Sequence, residues 1–230
     1  AIILQANQNE QHGGQSIPNF DYAMAPGVNK SFKKALRANL EKYNKYSGKK
    51  VDIKIPDDIA YGDTETLKKL KIPETVIETS NEDVEKQTFQ AMEGFIHNLN
   101  TMHSRAGAQV PFTSINFGTD TTPAGRLVTK NLLEATDKGL GHGETPIFPI
   151  SIFKVKEGVS YNPEDPNYDL FKRSMEVSSK RLFPNFTFID APFNLKYYKK
   201  GDYNTEIATM GCRTRVFSSV FPESDGIVTG

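Results

Sequence analysis

Three short runs of branched and aromatic residues, at 108–117, 147–153 and 186–190, alternate with longer stretches whose apolar residues recur at helical spacing. Runs this short and this continuously apolar suit strands covered on both faces rather than helices. Strand, helix, strand in repeated order predicts an α/β architecture with a parallel sheet. Periodicity alone chooses neither an open sheet nor a closed barrel, because both give the same local signal.

The intervening helices are legible from caps and spacing. Ser31 to Tyr46 places Phe32, Ala35, Leu36 and Leu40 on one side and lysines on the other. A longer helix is expected from Ser80 or Asn81 to about 100–103, with Asp83 and Glu85 in its first turn and Val84, Thr88, Ala91, Met92, Phe95, Ile96 and Leu99 recurring along one side. Thr122 caps a helix that opens on Pro123 and runs to about Asp137, where Gly139, Gly141 and Gly143 break it. A fourth helix spans about 169–181. Residues 11–29, with Gly13, Gly14, Pro18, Pro26 and Gly27, read as a long loop, and Ala1 to Leu4 as part of a strand. The charged stretch 47–79, punctuated by Pro56, Gly62 and Pro73, reads as surface, with a surface lobe expected within 41–80.

Composition narrows the function classes. The chain has 230 residues, with 28 basic and 28 acidic side chains, so no global field draws it to nucleic acid or anionic membrane. Its single cysteine cannot form an internal disulfide, and no apolar segment resembles a signal peptide or a membrane span. A cytoplasmic location is expected. The first and last residues interrupt apolar runs, which reads as an internal piece of a larger polypeptide.

That cysteine, Cys212, lies in Thr209-Met210-Gly211-Cys212-Arg213-Thr214-Arg215, a glycine turn flanked by two guanidiniums. Such surroundings favour a thiolate or a presented sulfur, whereas a lone cysteine is usually a small buried apolar residue. His97 and His103 flank the end of the long helix and suit a polar pocket floor or simple capping; six residues apart, they make a poor shared metal site. Gly139 to Pro146 suits a backbone nest for phosphate or a tight helix-to-strand connection, and the helix start at Thr122 suits an anion or only its own cap.

Several longer motifs carry a resemblance. Val110-Pro111-Phe112-Thr113-Ser114-Ile115-Asn116-Phe117-Gly118-Thr119-Asp120, then Gly141-His142-Gly143-Glu144-Thr145-Pro146-Ile147-Phe148-Pro149, then Thr209-Met210-Gly211-Cys212-Arg213 occur in order. With Gly13 to Asp21 and His103 to Gln109, they are similar to the anaerobic, class III ribonucleoside-triphosphate reductases. The resemblance spans nearly the whole chain, least securely at 41–80 and 216–230.

It implies the central portion, over 1–230, of a ten-stranded α/β barrel of the glycyl radical and ribonucleotide reductase type, with a cysteine finger loop near 208–216. It implies reduction of ribonucleoside triphosphates to 2'-deoxyribonucleoside triphosphates, with Cys212 as a transient thiyl radical taking the 3'-hydrogen of the ribose. His103, Ser104, Ser114, Asn116 and Gly211 are then expected around the substrate. It further implies a glycyl radical and a zinc site outside these residues, a partner activase carrying S-adenosylmethionine and an iron-sulfur cluster, formate as co-substrate, ATP and deoxynucleotide effectors, and a homodimer. The alternative reading is a non-catalytic structural and nucleotide-effector-binding piece of that reductase, or another glycyl radical enzyme.

Overall fold

The computed structural model describes residues 1–11, 13–48, 51–103, 109–211, 214–218 and 227–229, leaving side chains undescribed at 217–218 and 227–229. Its frame is a four-stranded parallel sheet of β1 (Gln15–Ile17), β2 (Thr113–Phe117), β3 (Ile150–Val155) and β4 (Asn185–Phe188), in that spatial order. Strands that follow one another in both sequence and space, joined by right-handed crossovers, place every connecting helix on the same face. Accordingly α5 (Pro123–Lys138) packs against α2 (Phe20–Tyr46), α4 (Glu74–Thr101) and α6 (Tyr168–Arg181). Two further helices, α1 (Ile2–Glu10) and α3 (Thr64–Lys69), complete the helical set.

Strand alternation divides the sheet chemically. Ile115 and Phe117 of β2 and Phe153 and Val155 of β3 point into the helical layer, where they join Phe32, Leu36, Val84, Ile96, Val128, Leu132 and Val177 in one core. The opposite face carries Ser16, Ser114, Asn116 and Lys154. A three-stranded antiparallel sheet of β5 (Ala208–Met210), β6 (Thr214–Ser218) and β7 (Ile227–Thr229) begins there, with β5 lying against β1 and β2.

Four expectations change. Residues 11–29 are not a loop: β1 forms at Gln15–Ile17, and α2 starts at Phe20 and runs through Pro26. An interior proline costs about 3 kcal/mol of helix stability, and burial of Phe20, Ala25, Val28 and Phe32 on the same helix offsets it. Ala1 to Leu4 enter α1 instead of a strand. The long helix α4 starts at Glu74, not at the caps read at Ser80 or Asn81; Ser80 is a buried interior position accepting a 3.1 Å hydrogen bond from the Asn39 amide. The stretch read as surface also supplies core, since Ile55, Ile59, Leu67 and Ile72 are buried.

Other boundaries hold closely. Thr122 caps α5 by accepting from the Gly125 amide at 3.2 Å, with Pro123 at the first helical position, and Gly139 ends the helix at φ 77°. Gly125 is sterically required, because a Cβ there would lie 2.1 Å from the Asp120 carboxyl. β2 and β3 are buried as expected, but β4 is exposed at Asn185 and Phe188, the mark of an edge strand. Among the described residues, no helix is long and apolar enough to cross a membrane.

Candidate active site

The face of the sheet away from the helices is held to the β5–β6 hairpin by side chains. Asn116 is fully buried, and its amide engages both backbone groups of one residue: Oδ1 accepts from the Thr209 backbone N–H at 2.9 Å, and Nδ2 donates to the Thr209 carbonyl at 2.9 Å. One side chain thus reproduces the pairing that a neighbouring strand would offer. Ser16 of β1 donates to the same carbonyl at 3.3 Å, and Ser114 of β2 accepts from the Gly211 N–H at 3.1 Å. Gly211 has φ 62°, a left-handed conformation that favours glycine, so the chain turns immediately before position 212.

A second set of contacts lies beyond the C-terminal ends of the strands. Lys154, fully buried, donates to Asn19 Oδ1 at 2.5 Å and lies 3.5 Å from Glu206 Oε2. Lys156 pairs with Glu206 Oε1 at 2.7 Å and reaches the Tyr198 hydroxyl at 2.8 Å; Thr119 Oγ1 donates to Glu206 Oε2 at 2.9 Å. Desolvation pulls the Lys154 ammonium below its ordinary pKa, against the opposing pull of Glu206 and Asp21. Burial also works against the charge on Lys156, but its hydrogen bonds to Glu206 and Tyr198 outweigh that and raise it. Asp21, buried, accepts from the N–H groups of Gly118 at 2.8 Å and Asp120 at 3.0 Å; desolvation raises its carboxyl pKa despite both bonds. Tyr22 stacks on Tyr203 with centroids 3.9 Å apart, tying the start of α2 to the chain just before Glu206.

Beside the hairpin, a cavity of 560 Å³ opens between β4 and β5, lined by Phe186, Thr187, Phe188, Asn194, Ile207 and Arg215 among others. The Arg215 guanidinium sits 4.4 Å from the Phe193 ring centroid. Among the described residues, no three His, Cys, Asp or Glu side chains come together as a cation site.

A family model described as anaerobic ribonucleoside-triphosphate reductase matches residues 1–230. The chain belongs to that family. It is 31% identical over 227 residues to the anaerobic ribonucleoside-triphosphate reductase of Enterobacteria phage T4, covering 98% of this chain and 31% of that protein. The proteins of the same name from Haemophilus influenzae and Escherichia coli are 29% and 28% identical, over 93% and 98% of this chain and 25% and 26% of their own lengths. The chain therefore spans about a quarter to a third of these curated relatives.

Of the residues singled out from the sequence, Ser114, Asn116 and Gly211 come together, joined by the hydrogen bonds to 209–211. Cys212 and Ser104 lie outside the described residues. The His103 carbonyl accepts from the Gln5 side chain, and His97 lines a cleft with Lys138 and Gly139 to Gly141. Sequence reading missed Ser16, Thr119, Lys154, Lys156 and Glu206. One signal was present: a lysine inside the apolar run Ile150–Val155 is out of place unless it meets a buried partner.

Proposed function

We propose that the chain is the frame that carries and aims the reactive-cysteine loop of an anaerobic ribonucleoside-triphosphate reductase, and that by itself it is non-catalytic. The supporting observation is the seating of Thr209 to Gly211 on the open sheet face by Ser16, Ser114 and Asn116. A strand held by side chains of the sheet and ending in a left-handed glycine suits the aiming of a reactive residue that follows it in sequence. Consecutive parallel strands with all helices outside suit one half of a ten-stranded barrel, whose interior the hairpin would thread.

In the whole enzyme, a glycyl radical stored outside these residues and generated by an activase would oxidise the Cys212 thiol to a thiyl radical. The thiyl takes the hydrogen atom from ribose C3', forming S–H as C3'–H breaks. The 2'-hydroxyl would then take up a proton and leave as water, formate would supply two electrons and a hydrogen, a net hydride forming the new C2'–H bond, on becoming carbon dioxide, and the S–H would return its hydrogen atom to C3', restoring the thiyl. Such a step depends on placement more than on thiol acidity, since a near-attack geometry lowers the barrier by several kcal/mol. The polar side chains facing the hairpin, Ser114 and Asn116, serve that placement first, with ribose contact as a second role for groups around Gly211. Zinc, deoxynucleotide effectors and a homodimer belong to the same reading of the complete protein.

The nucleotide-effector-binding part of the alternative reading gains nothing from α4. Its apolar stripe at Val76, Val84, Met92, Ile96 and Leu99 is buried against neighbouring helices.

The test is Cys212→Ser in a full-length, anaerobically activated reductase carrying these residues. The glycyl radical signal should persist while deoxyribonucleotide formation falls to background. Substantial turnover by that variant would end the assignment.

A further inference from the structure

Three contacts between the sheet and the finger run in step. Ser114 holds Gly211, Asn116 holds Thr209, and Thr119 holds Glu206. Moving two and then three residues forward through β2 and past its end moves two and then three residues back along the finger. Over β2 and β5 the segments therefore lie antiparallel, each strand advancing about 3.3 Å per residue and pairing through β2 side chains, and the third contact joins Thr119, two residues past β2, to Glu206, two residues before β5. A one-residue slip of the finger would break all three contacts together and turn the buried Ile207 toward the polar groups.

The outermost contact is unlike the other two. Ser114 and Asn116 meet backbone, which any residue provides, whereas Thr119 meets the Glu206 side chain, which Lys154 and Lys156 also grip. Glu206 is 4% exposed and Lys154 0%, so the pair sits where an unmatched charge costs several kcal/mol. Only one finger register satisfies it. Inner contacts made to backbone restrain position weakly against sliding, because every second peptide unit offers the same groups; the charged contact removes that degeneracy.

We propose that Glu206 is a positioning residue that sets how far the cysteine finger reaches along β2, with Lys154, Lys156 and Thr119 fixing its register. This rests on the reading of Cys212 as the radical site for its catalytic consequence, and on the contacts alone for its structural one. Cys212 is six positions on from Glu206 in the sequence, so on this reading an error in register at the root carries forward along the finger. A displacement of about 1 Å is enough to cost on the order of a hundredfold in rate.

The experiment uses Glu206→Gln in a full-length reductase carrying these residues, compared with the parent protein by hydrogen–deuterium exchange and by kinetics with 3'-deuterated nucleotide. Exchange in peptides covering 205–211 should accelerate roughly tenfold or more with α5 and α6 unchanged, since the amides of Thr209 and Gly211 are held by this seating. Glycyl radical content should be unchanged, kcat should fall about tenfold to a hundredfold with KM within about twofold, and the isotope effect on kcat should rise as hydrogen abstraction becomes more rate-limiting. Glu206→Asp, one methylene shorter, should lie between. If Glu206→Gln does not fold, Lys154→Met combined with Glu206→Gln removes both buried charges and keeps the test open. Parental exchange at 205–211 with parental kcat would overturn the proposal, as would acceleration spread over the whole fold or a loss confined to KM. Turnover by Cys212→Ser would instead remove the radical reading, and the exchange comparison would still decide the register.

Discussion

Asn116 provides from one amide group both halves of a strand partner for Thr209, and its replacement has a defined cost. Asn116→Leu fills the same volume but strands the Thr209 N–H in a part-buried site, leaving its carbonyl only the 3.3 Å bond from Ser16. A loss of about 2 kcal/mol is expected, read from chemical denaturation, together with a fall in kcat of the full-length enzyme. Asn116→Asp keeps the acceptor but sets a buried carboxylate against the Thr209 carbonyl, so it should cost more than Asn116→Leu near pH 7 and less in acid, where the protonated carboxyl can donate; a difference independent of pH would contradict the two-sided pairing. Ser114 and Asn116 were legible as polar residues inside a strand. What they touch was not, because the partner lies 93 residues away for Asn116 and 97 for Ser114, and local pattern carries no such information. The glutamate at 206 gave no local signal at all, since an acidic residue in a polar stretch is ordinarily solvated.

Between elements, α5 and α6 are joined by a charged cluster instead of by core alone. Arg173 of α6 bonds Glu134 at 2.8 Å and Asp137 at 2.7 Å on α5, and Lys180 reaches Asp137 at 3.2 Å. Burial of Asp137 opposes its ionisation, but the hydrogen bonds and charges of Arg173 and Lys180 prevail and hold its carboxyl below the ordinary range. A depressed carboxylate contributes stability that is present above the unfolded-state pKa of about 4 and is lost as pH falls through the lower folded value. Asp137→Asn should therefore lower the denaturation midpoint near pH 7, by about 1 kcal/mol for so partly exposed a network, and the two curves should converge in acid. A gap that stays constant from pH 7 to pH 3 would contradict this. At the same scale, α5 and α6 were legible because caps, breakers and apolar spacing agree. The start of α2 was not: Pro26 and Gly27 signal a loop locally, and only burial of Phe20 and Ala25 against distant helices overrides them. The early start of α4 has a similar cause, since Val76 and Ser80 gain their partners from tertiary packing.

As a whole molecule, the chain covers 25–31% of the length of the relatives it matches and contains one cysteine. The proposed chemistry needs a stored radical and a source of electrons besides that thiol. Residues 1–230, incubated anaerobically with activase, S-adenosylmethionine, formate and nucleoside triphosphates, should give no deoxynucleotide above the activase-only control. Product above that control would overturn the division of labour between this frame and the rest of the enzyme. The edge strand β4 has a consequence for handling the chain in isolation. Among the described residues its outer side pairs with no strand, and Phe188, Phe193 and Leu182 stand 53%, 59% and 79% exposed nearby. Unpaired amides beside apolar rings make a template for like molecules to add edge to edge. Light scattering of the 230-residue chain should show association that grows with concentration, and Phe188→Lys should suppress it without altering the helical signal; equal scattering from both proteins would assign the aggregation to another surface. Handling the frame alone is thus a problem of colloidal behaviour: its solubility limit is set by one ribbon of backbone four residues long.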